Sequence, residues 1–177
     1  MTTIVFDSTV LSHFARASQL ETLAVITNQF RCVTVDIVMG EIADGVVDHP
    51  ALARIANAEW FEKLELESIA DVVAFARYKT ELGGGPKRNN GEAAVLAWAS
   101  VNGGIAIIDE SVATGIARRD GVAVHGTLWL VVNGMRAGMI SEAAAEQIID
   151  GLAATDMRLP TNGAGFLTWA RNKGLLQ

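Results

Sequence analysis

The 177-residue chain is poor in several features, and each absence closes off a class of function. It has one cysteine, Cys32, so no internal disulfide can form, and a reducing cytoplasm is the expected compartment. Cys32 sits in the apolar run "RCVTV", where a small core residue is a simpler role than a nucleophile. Three histidines, His13, His49 and His125, show no metal-ligand spacing, which leaves the softer metals without support. No apolar run approaches the ~18 residues a membrane-spanning helix needs. The opening "MTTIVFDST" has neither a basic region nor a cleavage-like segment, so no signal peptide is expected. Cations are short as well: 14 Lys and Arg stand against 20 Asp and Glu, a net charge of −6. General phosphate attraction therefore cannot hold a nucleic-acid duplex. Any such contact must be local, or bridged by cations bound to the chain's own acids. There is no internal repeat, low-complexity tract or linker, and the length suits one domain with a single core.

What the chain has is alternation of strand and helix. Half of its residues are hydrophobic. Residues 3–6, 31–35, 63–68, 105–108 and 122–125 read as strands. Helices are predicted over a segment capped by Ser8 or Thr9 and carrying Val10, Leu11 and Phe14, then over 20–28. A further helix capped by Asp36 runs through Glu41 to about Val46, followed by helices over 51–61, 70–82, 91–101, 111–119, 128–137, 141–153 and 163–173. The stretch "GGGPKRNN" over 83–90 must be a loop. Strands separated by helices imply a parallel sheet covered on both faces.

Two buried-strand patterns end on acids: "TIVF" is followed by Asp7, and "IAII" by Asp109. Sites in open parallel sheets form beyond the carboxyl ends of the strands, so these two acids occupy the site-forming position. Glu41 borders an apolar helix face beside Ile37, Val38 and Ile42. Glu92 opens the nearly uncharged helix "GEAAVLAWAS". Each acid also has a structural reading. Asp7 and Asp109 could cap the helices that follow them, Glu41 could be a solvated rim residue, and Glu92 could be favoured in the first turn by the helix dipole. Glu110, Asp36 and Asp120 are left as structural acids. Four carboxylates in one cleft repel, a pair ~4 Å apart costing about 4 kcal/mol at an effective dielectric near ~20. Such a cluster raises its pKa values or holds a divalent cation, and all-oxygen ligands select Mg²⁺ or Mn²⁺.

In order, "IVFDST", "VMGEI", "NNGEAAVLAWA" and "AIIDES…GVAVHGT" resemble the four acidic motifs of the PIN-domain nucleases, a family that includes the VapC-type toxins of bacterial toxin–antitoxin pairs. The resemblance spans roughly residues 3 to 137. It implies a three-layer α/β/α fold with a central, mostly parallel sheet, forming a PIN-like nuclease domain over 1–140. The C-terminal helices over 141–177 would pack on the same domain. It implies a Mg²⁺- or Mn²⁺-dependent endoribonuclease with Asp7, Glu41, Glu92 and Asp109 as catalytic and metal-binding acids. Ser8, Thr9 and Thr127 match supporting polar positions. Thr114 and Trp129 depart from the branch most like this chain, which has arginine and glycine there. The resemblance further implies an RNA substrate, a homodimer, and a small antitoxin that presents a cationic side chain to Asp7 and Asp109.

Lys87 and Arg88, in the loop before Glu92, are candidate RNA contacts or simply solvated charges, while Arg118 and Arg119 suit a helix end. The loop is not a phosphate-cradling Walker motif, since "GGGPKR" lacks the spacing. Trp129 and Trp169 read as core residues or as interface aromatics. Two rival readings remain. "VFDSTV" resembles the opening of the haloacid-dehalogenase phosphohydrolases, although Thr9 stands where that family has a second acid. A catalytically inactive PIN-fold binding module would act by association alone.

Overall fold

A computed structural model describes residues 1–176; Gln177, the last residue of the expected C-terminal segment, lies outside them. Five strands, β1 (Thr3–Phe6), β2 (Arg31–Val35), β3 (Glu62–Leu64), β4 (Ile105–Ile107) and β5 (Ala123–His125), form one sheet in the order β3-β2-β1-β4-β5. Every pairing is parallel, with Val5 opposite both Val33 and Ala106. β1 is central, and its Ile4, Val5 and Phe6 are completely buried.

The helices are α1 (Ser8–Arg16), α2 (Leu20–Thr27), α3 (Asp36–Gly45), the short α4 (Ala53–Ala56), α5 (Ile69–Leu82), α6 (Asn90–Asn102), α7 (Ser111–Arg119), α8 (Thr127–Arg136), α9 (Glu142–Ala153) and α10 (Gly163–Asn172). Connections between parallel strands are right-handed. The chain steps from β1 outward to β2 and β3, then returns past β1 to β4 and β5. That reversal puts the two sets of crossover helices on opposite faces and gives three α/β/α layers. It also opens a switch point between β1 and β4, where Asp7 and Asp109 emerge. α6, whose Ala93 to Ala99 are all buried, packs against α5 and the sheet. α8 closes on α2, and α9 and α10 follow it.

Four sequence expectations are corrected. The helix expected over 51–61 is a 3-10 turn at Pro50–Leu52 followed only by α4. Beyond Asn57 the chain must deliver aromatics to the core: Phe61 is buried, and Trp60 meets Phe6 edge-on with ring centroids 5.7 Å apart. The strand expected over 63–68 is limited to β3, because β2 offers it only Val33–Val35 before α3 begins at Asp36. Finally, α1 is capped not by Ser8 or Thr9 but by Asp7, whose carboxylate accepts the Thr9 N–H at 3.2 Å. Asp36 likewise is the first residue of α3 rather than its cap.

The α2–α8 contact depends on a missing side chain. A Cβ on Gly134 would lie 2.6 Å from Ile26 Cβ, whereas one on Gly115, in exposed α7, would meet nothing. Gly134→Ala should therefore lose about 1–3 kcal/mol through overpacking, despite its gain in helix propensity. Gly115→Ala should gain about 0.5–1 kcal/mol. Urea unfolding midpoints check both signs; a stabilised Gly134→Ala would show that the α2–α8 interface is looser than described.

Candidate functional site

The site grows from the end of β1. Asp7 follows Phe6 directly, and its backbone N–H still donates to Ile107 O at 3.2 Å, so the sheet itself fixes its position. Its side chain is 1% exposed. One oxygen, Oδ2, caps α1; the other, Oδ1, is buried without a hydrogen-bond partner. Burial, then the charges of Glu92 and Glu41, raise its pKa to about 7. Asp7 is thus both a helix cap and a perturbed acid, which joins the two readings the sequence left open.

Glu41 reaches the same place from α3. Ser8 Oγ donates to its Oε2 at 2.7 Å, and the Gly91 N–H donates to its Oε1 at 2.8 Å. Gly91 is the joint of the site. A Cβ there would collide with Glu41 Oε2 and come within 3.0 Å of Asp7 Oδ1, so the first turn of α6 can approach only as glycine. Glu92, the next residue, is partly buried. Burial raises its pKa, with Glu41 and Glu110 adding repulsion and Lys79 opposing it. No hydrogen bond from another described residue reaches its carboxylate.

Asp109 stands on the other side of the switch point, at the exposed rim. Both its oxygens are held by one residue: the Thr127 N–H donates to Oδ1 at 2.9 Å and Thr127 Oγ1 donates to Oδ2 at 2.7 Å. Surrounding protein raises its pKa, and the two Thr127 hydrogen bonds oppose that rise. Gly126 is to Asp109 what Gly91 is to Glu41, since a Cβ there would lie 2.5 Å from Oδ1. Asp109 does not cap α7. Glu110 does, accepting the Ala113 N–H at 2.7 Å, and Asp120 pairs with Arg77 and Arg119.

The structure therefore brings Asp7, Glu41 and Glu92 into mutual electrostatic contact and sets Asp109 beside them at the same sheet edge. Ser8 and Thr127 each hold one of the acids; Thr9 contributes its backbone, and its side chain is exposed. Lys87 and Arg88 are exposed on the loop entering α6, which is pinned by Lys79 Nζ donating to Gly85 O at 2.7 Å and to Arg88 O. Lys79 carries no motif that points to this role, and Gly91 and Gly126 were legible only as parts of "GEA" and "HGT". Among the described residues the three histidines join no metal-ligand group with the acids, although His125 lines a cavity together with Asp109, and Cys32 is a free, buried residue of β2.

An open parallel sheet with four acids at the carboxyl ends of its strands, around a switch point, defines an acidic α/β domain. The chain belongs to the PIN-domain family: residues 3–164 match the family DUF3368, described as a PIN domain. Its fold is accordingly nuclease-like. Searches of curated proteins and of solved structures each gave no match. No helix among the described residues is long and apolar enough to cross a membrane.

Among the described residues, no three Asp, Glu, His or Cys side chains close on one point at metal-ligand range. Mg²⁺, however, keeps several waters and takes one or two protein carboxylates. The donor set fits such an ion. Asp7 Oδ1 is orphaned and Glu92 has no donor from another described residue, whereas Glu41 and Asp109 have a donor on each oxygen.

The raised pKa of Asp7 has a testable sign. Unfolded, the group returns to its ordinary 3.8; folded, it holds its proton up to about 7. Between these values the folded state binds the extra proton, so stability falls as pH rises through the window and the loss is complete above it. In metal-free protein, Asp7→Asn should thus change stability little near pH 4 and raise it by up to about 4 kcal/mol at pH 8. Denaturant melts across that range check this; a gain independent of pH would mean that Asp7 is not perturbed.

Proposed function

We propose that this PIN domain is a divalent-metal-dependent endoribonuclease, VapC-like, and the toxin of a toxin–antitoxin pair. The observation that carries the proposal is the buried, unpartnered Oδ1 of Asp7 beside Glu41 and Glu92 at the switch point. Asp7 and Glu92 would hold Mg²⁺ or Mn²⁺ directly, because Asp7 Oδ1 has no donor and no other described residue donates to the Glu92 carboxylate. Glu41 and Asp109 would act through water. A bound ion would neutralise the acids, polarise a phosphoryl oxygen and lower the pKa of a water.

The chain's own residues do the rest. Ser8 and the Gly91 N–H fix the Glu41 carboxylate, and Thr127 fixes that of Asp109, so both keep one orientation while charge changes around them. With its oxygens so held, Asp109 at the open rim is placed to orient an attacking water and to accept its proton. Lys87 and Arg88 are exposed where an RNA backbone could approach α6. The haloacid-dehalogenase reading finds no support, since Asp7 is buried and Thr9, in the second acid's place, turns outward.

Single-stranded RNA should be cleaved with Mn²⁺ or Mg²⁺ and not with EDTA. Asp7→Asn and Glu92→Gln should fall to background, and Asp109→Asn should lose about 10–100-fold, as outer-shell partners do. Wild-type protein inert with either ion would favour the non-enzymatic binding module, and undiminished cleavage by Asp7→Asn would remove the site.

The partners belong to the same proposal. A small antitoxin would silence the domain by presenting a cation to Asp109 and, since Asp7 is buried, to Glu92 in place of Asp7. Homodimerisation is motivated by the face of α5, where Ile69, Val72 and Val73 are 86%, 55% and 63% exposed and Ala76 continues the stripe. Light scattering at micromolar concentration should give the mass of two chains, and a monomer mass would overturn this part.

A further inference from the structure

A cavity of about 440 Å³ opens beside the acids, with Asp109 and Gly126 on its floor. One wall is Arg118 of α7. Another is the aromatic pair His125 and Trp129, stacked with centroids 4.1 Å apart and planes within 2°. The third comes from the end of the chain: Arg158, Trp169 and Lys173. The volume suits a ligand of nucleotide size.

Nine of the 14 Lys and Arg side chains have no ion-pair partner among the described residues, and three of the nine line this one cavity. Arg16, Arg31, Arg54, Arg77 and Arg119 are all neutralised by carboxylates. Arg118, Arg158 and Lys173 have no ion-pair partner among the described residues, yet they converge on one cavity of a protein with net charge −6. Asp109, the acid on the floor, already has a Thr127 donor on each oxygen. Free cations beside flat, partly exposed aromatic faces are the two elements that hold an unstacked nucleotide: the cations meet phosphate and the rings meet the base.

We propose that this cavity binds one unstacked nucleotide of single-stranded RNA, its base against Trp129 or Trp169 and its phosphate toward Arg118, Arg158 and Lys173. The inference rests on the ribonuclease reading and deepens it. Because the cavity shares Asp109 with the acidic cleft, the nucleotide held there is a neighbour of the phosphate to be cut. The segment from Arg158 to Leu175 then selects that nucleotide, a role for the C-terminal helix that the acidic motifs do not supply. A base within a duplex is stacked and cannot enter, so the cavity also discriminates against double strands.

The test is made on Asp7→Asn protein in EDTA, so that binding is read without cleavage or metal. Calorimetric titration with adenosine 5′-monophosphate should show binding, and ribose 5-phosphate should bind at least about tenfold more weakly for lack of stacking. Arg158→Ala, which alters an exposed and unpaired side chain, should weaken the nucleotide about tenfold, and Arg118→Ala combined with it further still. No binding at millimolar nucleotide, equal affinity for ribose 5-phosphate, or an unchanged affinity in the double variant would each overturn the proposal. Cleavage by the wild-type protein is scored separately, so failure of the cavity and failure of the ribonuclease reading are distinguishable.

Discussion

A carboxylate that water cannot reach, with one oxygen left unbonded, sits at the end of the central strand, and much of the molecule is arranged around it. Burying a charge is costly unless it is paired, and Asp7 has two further acids near it and no cation. Its position is nonetheless rigid. The sheet holds its backbone through Ile107, α1 takes one of its oxygens as a cap, and α6 approaches closely only because Gly91 has no side chain. The fold thus maintains a site that opposes its own stability at neutral pH, a pattern expected where function and not folding selects the residue.

The four acids divide by what already satisfies them. Glu41 and Asp109 are held on both oxygens by hydroxyl and amide donors, so they orient groups. Asp7 and Glu92 are not, so they have capacity to bind. This division matters more than the count of carboxylates, because an ion that keeps its waters needs few direct ligands and several well-oriented acceptors around it. The cavity beside Asp109 adds Arg118, Arg158 and Lys173 to the surroundings of the acids, with the shared acid held by Thr127 on both oxygens.

The parallel sheet and its site-forming strand ends were legible because β1 and β4 are continuous apolar runs that stop on acids, and α6 because its apolar face runs unbroken from Ala93 to Ala99. Failures occurred where tertiary demands overrode local pattern. "KLELES" alternates over six residues, but β2 supplies a partner for only part of it. The segment over 51–61 has helical composition, but Trp60 and Phe61 must reach the core. Asp7, Glu41, Glu92 and Asp109 were found by ordered motifs, yet which of them has a free lone pair depends on Ser8, Gly91 and Thr127 in three dimensions. Arg158 and Lys173 had no sequence signal, and Trp169 read only as a core or interface aromatic, because only the packing of α8, α9 and α10 brings them beside Asp109.

In the proposed metal-dependent reaction, Asp7 gives up a proton to accept a divalent cation. Metal binding to a protonated carboxyl releases that proton. Calorimetric titration of Mn²⁺ at pH 6, repeated in buffers of different ionisation enthalpy, counts the protons released. The account predicts release approaching one proton per ion at pH 6, falling toward none at pH 8, and lost in Asp7→Asn. Mn²⁺ binding with no proton release at pH 6, or with release unchanged by Asp7→Asn, would contradict it.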